Sequence, residues 1–158
     1  MNLKQQAETA LAGLAADGGA GSLHLSGEQQ RLTCDLTALD RIACAFSHLT
    51  LESPALAESS LDRLRRIAEN LSARLTYLLE PIHPIETDSE GCVVQMRSSP
   101  PQQGEDHTCY YELLVRREGL SLRRWKREPG EARAVVPAEV TREVLLRLIE
   151  DFEEQAAA

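Results

Sequence analysis

The sequence predicts an α+β domain in which an antiparallel sheet carries its helices on one face, in the order α-βββ-α-βββ(β)-α. Three observations lead to this fold class. Apolar residues recur at helical spacing in three segments, and they alternate at every second position in the two runs between those segments. Turn residues divide the alternating runs at hairpin distances. Strands joined by hairpins favour this architecture over the strand–helix alternation of nucleotide-binding parallel sheets.

The length of 158 residues fits a single domain, residues 1–158, that needs no disulfide or metal for its stability. Two parts of the chain lack the periodicity of a folded element. Residues 98–108 are rich in Pro, Gly, Gln and acidic residues, which predicts a mobile loop. Residues 154–158 are predicted to form a frayed tail after the last helix.

The first half begins with a predicted helix over residues 2–16, which ends at Asp17-Gly18-Gly19-Ala20-Gly21. Between residues 22 and 52 the apolar period changes to two, which predicts a three-stranded antiparallel meander. The alternation changes phase after Phe46, and this predicts a bulge or an edge strand that bends away.

The longest predicted helix covers residues 54–79. Ser53 is a suitable N-cap and Pro54 a suitable first helical residue. Ser59, followed by Asp62, offers a second and weaker start. A continuous leucine-rich stripe marks the buried side of the helix, and Pro81 ends it.

The second half is predicted to contain three or four strands between residues 82 and 127, followed by a helix over residues 137–153 that opens on Pro137. Its clearest feature is a hairpin over residues 109–127. A turn at Glu118-Gly119 would place residues whose numbers sum to 237 opposite each other.

Composition narrows the classes of function. The net charge of −8 and the pI of about 5.0 make a nucleic-acid partner unlikely, because polyphosphate binding depends on excess Lys and Arg. The N-terminal residues are too polar for a signal peptide, and no apolar stretch is long enough to span a membrane. We therefore expect a cytoplasmic protein without a membrane partner.

The four cysteines, at positions 34, 44, 92 and 109, are scattered and contain no C-x-x-C pair. In a cytoplasmic chain this pattern favours reduced, partly buried thiols, and one disulfide or a metal site remains an alternative. The four histidines lie in different segments, and only His48 has a second candidate ligand, Cys44, at a metal-binding spacing. On a strand these two side chains would lie about 13 Å apart, too far to share a metal. Neither a nucleophile elbow nor a phosphate-binding loop is present. We predict no catalytic residue, no metal ligand and no cofactor.

The hairpin is the only segment in which residues typical of binding surfaces, arginine and aromatic residues, are clustered. One face of it is apolar and suited to pack under a helix. The other face interleaves arginine and aromatic side chains, and its candidate partner-binding residues are Tyr110, Glu112, Leu114, Arg123, Trp125 and Arg127. An ordinary solvated face, a protein-binding surface and a nucleic-acid surface all fit this pattern. The hairpin is also the one predicted basic patch (Arg116, Arg117, Arg123, Arg124, Lys126, Arg127), and the acidic C-terminal helix is its possible counterpart.

The order of elements, the low pI and the small size resemble those of type III secretion chaperones and related cytosolic binding proteins. The resemblance concerns topology and spans helix 2–16, the strands between Leu23 and Leu51, helix 54–79, the strands between Ile82 and Arg127 and helix 137–153. It implies a homodimer that holds another protein chain.

We therefore predict a non-enzymatic protein-interaction module, a homodimer whose partner is another protein. One alternative is the binding of RNA or single-stranded nucleic acid through the arginine and aromatic face of the hairpin. A small-ligand-binding protein, or an enzyme of unknown reaction, is the other.

Overall fold

The structure is a computed structural model that describes residues 1–16 and 18–157. Asp17 of the predicted helix stop and Ala158 of the predicted tail lie outside these residues. The helices are α1 (Leu3–Ala16), α2 (Leu61–Arg74) and α3 (Arg142–Ala157). The strands are β1 (Gly21–Ser26), β2 (Arg31–Leu39), β3 (Ala43–Glu52), β4 (Ile82–Asp88), β5 (Val93–Ser98), β6 (Gln102–Gln103), β7 (Thr108–Arg116), β8 (Gly119–Arg127), β9 (Ala134–Val136) and β10 (Ala138–Thr141). The predicted α+β class and order of elements are confirmed.

The ten strands form one antiparallel sheet with the main order β1-β2-β3-β8-β7-β5-β4. The two halves of the chain meet where β3 pairs with β8, from Leu49 opposite Leu122 to Glu52 opposite Gly119. Beyond this contact the two strands diverge. The gap is filled by β10, which pairs with the first half of β3, and by β9, which pairs with the second half of β8. The segment predicted as a loop at 98–108 contains β6, which pairs with β7.

All three helices pack on one face of the sheet. Helix α1 lies against β1 and β2, α3 against β3 and β8, and α2 against β4, β5 and β7, while α3 also contacts both other helices. On α1, Leu3, Ala7 and Leu11 are fully buried against the sheet, and Leu14 is partly buried. The aliphatic side chains of the central strands complete this single core. We name the opposite side of the sheet the open face, and none of the helices in residues 1–16 and 18–157 lies on it.

The predicted start of the long helix is wrong. Instead of a helix from residue 54, the chain forms a short 3₁₀ turn at Pro54–Leu56, and α2 begins after Ser60. The side-chain oxygen of Ser60 accepts a hydrogen bond from the backbone N–H of Arg63 at 3.2 Å. This cap satisfies an N–H that the first helical turn leaves without a partner.

The predicted end of the same helix also lies too late. Helix α2 ends at Arg74, yet Leu75 and Leu78 remain buried because a second 3₁₀ turn keeps them on the core side. Leu79 then adopts a left-handed conformation with φ of 67° and is almost fully exposed. The apolar stripe therefore predicted burial correctly and helix length incorrectly.

The bounds of the last helix differ from the predicted 137–153 at both ends. The first predicted residues belong to β10, and α3 follows it, with the Thr141 hydroxyl accepting a hydrogen bond from the N–H of Val144 at 3.1 Å. The helix continues to Ala157, and Gln155 is buried. The four described residues of the predicted frayed tail are therefore helical.

The predicted bulge after Phe46 is confirmed. Leu36 pairs with Phe46 and Asp35 pairs with His48, so Ser47 is an extra residue on β3. Because side chains alternate along a strand, this extra residue returns the later leucines of β3 to the core. It also places the His48 side chain on the open face.

The predicted register of the β7–β8 hairpin is wrong by two residues. Tyr110 pairs with Trp125 and Glu112 with Arg123, so that paired residue numbers sum to 235 rather than 237. The turn residues are consequently Arg117 and Glu118. A shift of two keeps every side chain on its predicted face.

Candidate functional site

The open face contains all six predicted binding residues. Tyr110, Glu112 and Leu114 alternate along β7 with core side chains, and Arg123, Trp125 and Arg127 do the same along β8. The predicted opposition of Leu114 with Arg123, Glu112 with Trp125 and Tyr110 with Arg127 is corrected by the register. Leu114 lies opposite Ser121, and Arg127 is exposed at the end of β8 opposite Thr108.

Two aromatic rings of this face are covered by arginine side chains. The guanidinium carbon of Arg97, on β5, lies 4.6 Å from the ring centre of Tyr110. That of Arg133, which precedes β9, lies 3.8 Å from the ring centre of Trp125. This stacking buries Tyr110 to 4% exposure although no helix covers it. Neither Arg97 nor Arg133 was identified from the sequence.

A buried carboxylate holds the Arg133 side chain in place. One oxygen of Glu112, which is 7% exposed, accepts hydrogen bonds from Arg133 at 2.8 Å and from the Gln95 amide at 2.9 Å. Arg133 also donates to the Tyr110 hydroxyl at 3.3 Å. Burial lowers the pKa of Arg133, but these hydrogen bonds outweigh that effect and hold it above its ordinary value. The guanidinium is therefore a fixed cation of the face.

A second network lies beside it, at the junction of β3 and β8. Arg123 donates to Nδ1 of His48 at 3.2 Å, and Thr50 hydrogen-bonds the other ring nitrogen. Burial is the main cause that lowers the pKa of His48, and the positive charge of Arg123 lowers it further. The negative charge of Asp35 raises this pKa by a smaller amount. His48 is therefore neutral at pH 7.

The tautomer of His48 follows from its partners. A guanidinium can only donate, so Nδ1 accepts and the ring proton lies on Nε2. Nε2 consequently donates to the Thr50 hydroxyl and cannot take its proton. The pair does not form an activated nucleophile, although its residues line a cavity of about 410 Å³ with Asp35, Glu112, Arg116 and Arg123 among its walls.

Several donors of the open face have no acceptor. Among residues 1–16 and 18–157, the buried Nε atoms of Arg97 and Arg116 and the indole N–H of Trp125 make no hydrogen bond. Buried donors are nearly always satisfied in folded proteins. The described part of the chain therefore leaves these three buried donors without an acceptor.

Three residues of the predicted basic patch are engaged elsewhere. Arg124 is buried on the helix side of the sheet, where it pairs with Glu80 at 2.8 Å. Arg117 donates to a backbone carbonyl ahead of α2 at 2.9 Å, and Lys126 pairs with Glu128 at 3.1 Å. The positive charge of the open face comes instead from Arg97, Arg116, Arg123, Arg127 and Arg133.

The predicted acidic counterpart of this patch is largely neutralised within the chain. On α3, Asp151 and Glu154 pair with Arg74 of α2, and Glu150 pairs with Lys4 of α1 at 3.5 Å. These ion pairs join the three helices to each other. A head-to-tail contact between α3 and the hairpin of a second copy would compete with them.

The cysteine thiols are all free, and three of the four are buried. Burial is the main cause that raises the pKa of Cys44 to about 11, and it raises that of Cys34 further. Neither side chain is a thiolate at neutral pH. Within the described ranges, no three His, Cys, Asp or Glu side chains gather as metal ligands do.

Comparison with protein-family models, with curated proteins and with solved structures finds no match. In the described part of the chain, the helices are too short or too polar to cross a bilayer.

Proposed function

We propose that this protein is a non-enzymatic interaction module that binds a segment of another protein on the open face. One observation carries the proposal. Arg97, Arg116 and Arg123 are half-buried on a sheet face that no helix covers, and none of them has an ion-pair partner in the described ranges 1–16 and 18–157. Arginine in such a setting suits the carboxylate and carbonyl oxygens of a docked chain.

A protein partner fits this face better than a nucleic acid. Stacking of bases requires open aromatic rings, but Arg97 covers Tyr110 and Arg133 covers Trp125. The net charge of −8 also repels a polyphosphate at long range. The proposed partner is therefore a protein segment that presents hydrogen-bond acceptors to the arginines.

Reversal of charge on the open face tests this proposal. We expect the double variant Arg116→Glu/Arg123→Glu to weaken partner binding at least about tenfold, because each substitution removes hydrogen-bond donors and adds a negative charge that repels the partner's acceptors. The partner is first captured from a lysate with immobilised wild-type protein, and its affinity is then measured with purified components by calorimetry.

The matched control is Arg65→Glu/Arg66→Glu, which changes the charge equally on the exposed side of α2. It should bind like the wild type, and both double variants should retain the wild-type melting temperature within a few degrees. Equal binding by all three proteins contradicts the proposal. Capture that nuclease abolishes, with binding that weakens steeply in salt, would favour the nucleic-acid alternative.

We extend the proposal to a homodimer formed at the β1 edge of the sheet. The Gln6 amide hydrogen-bonds both the N–H and the C=O of Ser26, which identifies these as outward-pointing groups of β1. By the two-residue period, the backbone groups of Ser22 and His24 also point outward. The other edge, β4, contains Pro84 and a bulge, which protect it from pairing.

A proline at the β1 edge separates dimerisation from folding. We expect His24→Pro to be a monomer when the wild type is a dimer, because it deletes an outward N–H and leaves the β1–β2 ladder intact. His24→Ala keeps the N–H and should remain dimeric. Size-exclusion chromatography with light scattering measures the mass. A monomeric wild type, or a dimeric His24→Pro protein, contradicts the proposed edge.

The cytoplasm is the compartment that we propose for this protein. Four free cysteines, of which Cys34 and Cys44 have raised pKa values, suit a reducing environment. A chaperone-like role, in which a dimer holds another chain, is part of the same proposal.

A further inference from the structure

We infer that the open face contains a guanidinium-binding site, filled by the chain's own Arg133, that an arginine of a partner protein can take over. The inference rests on the proposed function, since it names the side chain by which a partner is recognised. The site consists of Glu112, Tyr110 and the ring of Trp125.

Three different groups contact the Arg133 guanidinium. The Glu112 carboxylate accepts at 2.8 Å, the Tyr110 hydroxyl accepts at 3.3 Å, and the Trp125 ring centre lies 3.8 Å from Cζ. A planar cation can stack on a ring and donate within its own plane at the same time. An ammonium group cannot, so this set of contacts is selective for arginine over lysine.

The site is built by the sheet and not by its occupant. Glu112 and Tyr110 project from β7, Trp125 projects from β8, and Gln95 on β5 holds the Glu112 oxygen at 2.9 Å. Glu112 is 7% exposed, and the charged form of a carboxylate so deeply buried is stabilised by a cation beside it. Removal of Arg133 therefore leaves the sheet residues of the site in place without the cation that pairs with Glu112.

The occupant comes from an exposed segment. Residues 129–133 are all exposed, and the Arg133 side chain retains 38% of its exposure in the contact. Within the described residues, Arg133 makes the only side-chain hydrogen bonds or ion pairs that join this segment to the open face. If an arginine of a partner replaced Arg133 in the site, only the contacts of the Arg133 side chain would be broken, and the sheet would stay intact.

The test uses Trp125, the only tryptophan in the chain, as the reporter. Arg133→Ala is titrated with methylguanidinium, and we expect a saturable change in fluorescence together with a rise in melting temperature. Methylammonium at the same concentrations should produce neither change. The wild type should require at least about tenfold more methylguanidinium, because its site is already filled.

Loss of the response in Arg133→Ala/Glu112→Gln is the expected specificity control. If Arg133→Ala does not fold, Arg133→Lys replaces it, since lysine keeps a cation near Glu112 without the planar stack. An equal response to methylammonium, an equal response in the wild type, or no response in either Arg133 variant overturns the inference. A wild-type dimer that becomes monomeric in Arg133→Ala would make a second copy the occupant and overturn the assignment to another protein. No partner is needed for these measurements, so their failure is distinct from failure of the proposed function.

Discussion

Gly119→Ala is expected to destabilise the protein by about 3–5 kcal/mol and to lower its melting temperature by at least about 10 °C. Gly119 has a φ of 151°, which L-residues rarely adopt, and a Cβ would lie 1.8 Å from the carbonyl oxygen of Leu51. The Cβ position is fixed by the backbone of residue 119 and the atom it meets is a backbone oxygen of β3, so no side-chain rotation relieves the overlap. The substitution therefore separates the two halves of the sheet.

Gly130→Ala separates the two causes of this effect. Gly130 also has a positive φ, 78°, but nothing lies within 4 Å of the position of its Cβ. It should cost only about 1 kcal/mol, the cost of the backbone conformation alone. Urea denaturation followed by circular dichroism measures both variants. A Gly119→Ala protein as stable as Gly130→Ala would show that the close approach of β3 and β8 does not constrain residue 119.

The sequence was sufficient to predict the class of fold because periodicity survives errors of register. The β7–β8 register was wrong by two residues, yet Tyr110, Glu112, Arg123 and Trp125 lie on the predicted face, since two is the period of side-chain alternation. The bulge after Phe46 was predictable for the same reason, because the change of phase is visible in the order of apolar residues.

Element bounds failed where tertiary contacts override the local pattern. The leucine stripe of the predicted helix 54–79 continues through two 3₁₀ turns, because Leu75 and Leu78 are buried whether or not the backbone is α-helical. The sequence did not predict strands β9 and β10, because their strand conformation depends on pairing with β3 and β8 where those two strands diverge. No property of residues 134–141 taken alone reveals that divergence.

The sequence predicted where the candidate site lies. It did not predict the arginine side chains that cover the aromatic rings of the site. Arg97 could have been found by pairing β5 with β7, which places it opposite Glu112. Arg133 lies in an aperiodic segment, and the sequence contains no signal for its contact with Trp125. The sequence pattern predicts a turn at Gly119, whereas in the structure its lack of a side chain allows the backbone of β3 to approach.

Arg124→Met is expected to lower the free energy of unfolding by about 3 kcal/mol. The side chains of Arg124 and Glu80 are 10% and 14% exposed and form an ion pair at 2.8 Å. Arg124 also donates to Gln102 at 2.7 Å and lies 4.6 Å from the ring centre of Tyr111. Methionine replaces the aliphatic part of the side chain but leaves the Glu80 carboxylate buried without its cation.

The second substitution in this pair distinguishes loss of charge pairing from loss of packing. Arg124→Met/Glu80→Leu removes both charges, and it should recover at least about half of the stability that Arg124→Met loses. Urea denaturation of the wild type, both single variants and the double variant completes the thermodynamic cycle. A double variant no more stable than Arg124→Met would place the contribution of Arg124 in its contacts with Tyr111 and Gln102. If the double variant recovers stability, apolar side chains can replace this ion pair. The instability of Arg124→Met would then come from the Glu80 carboxylate, which stays buried without its cation.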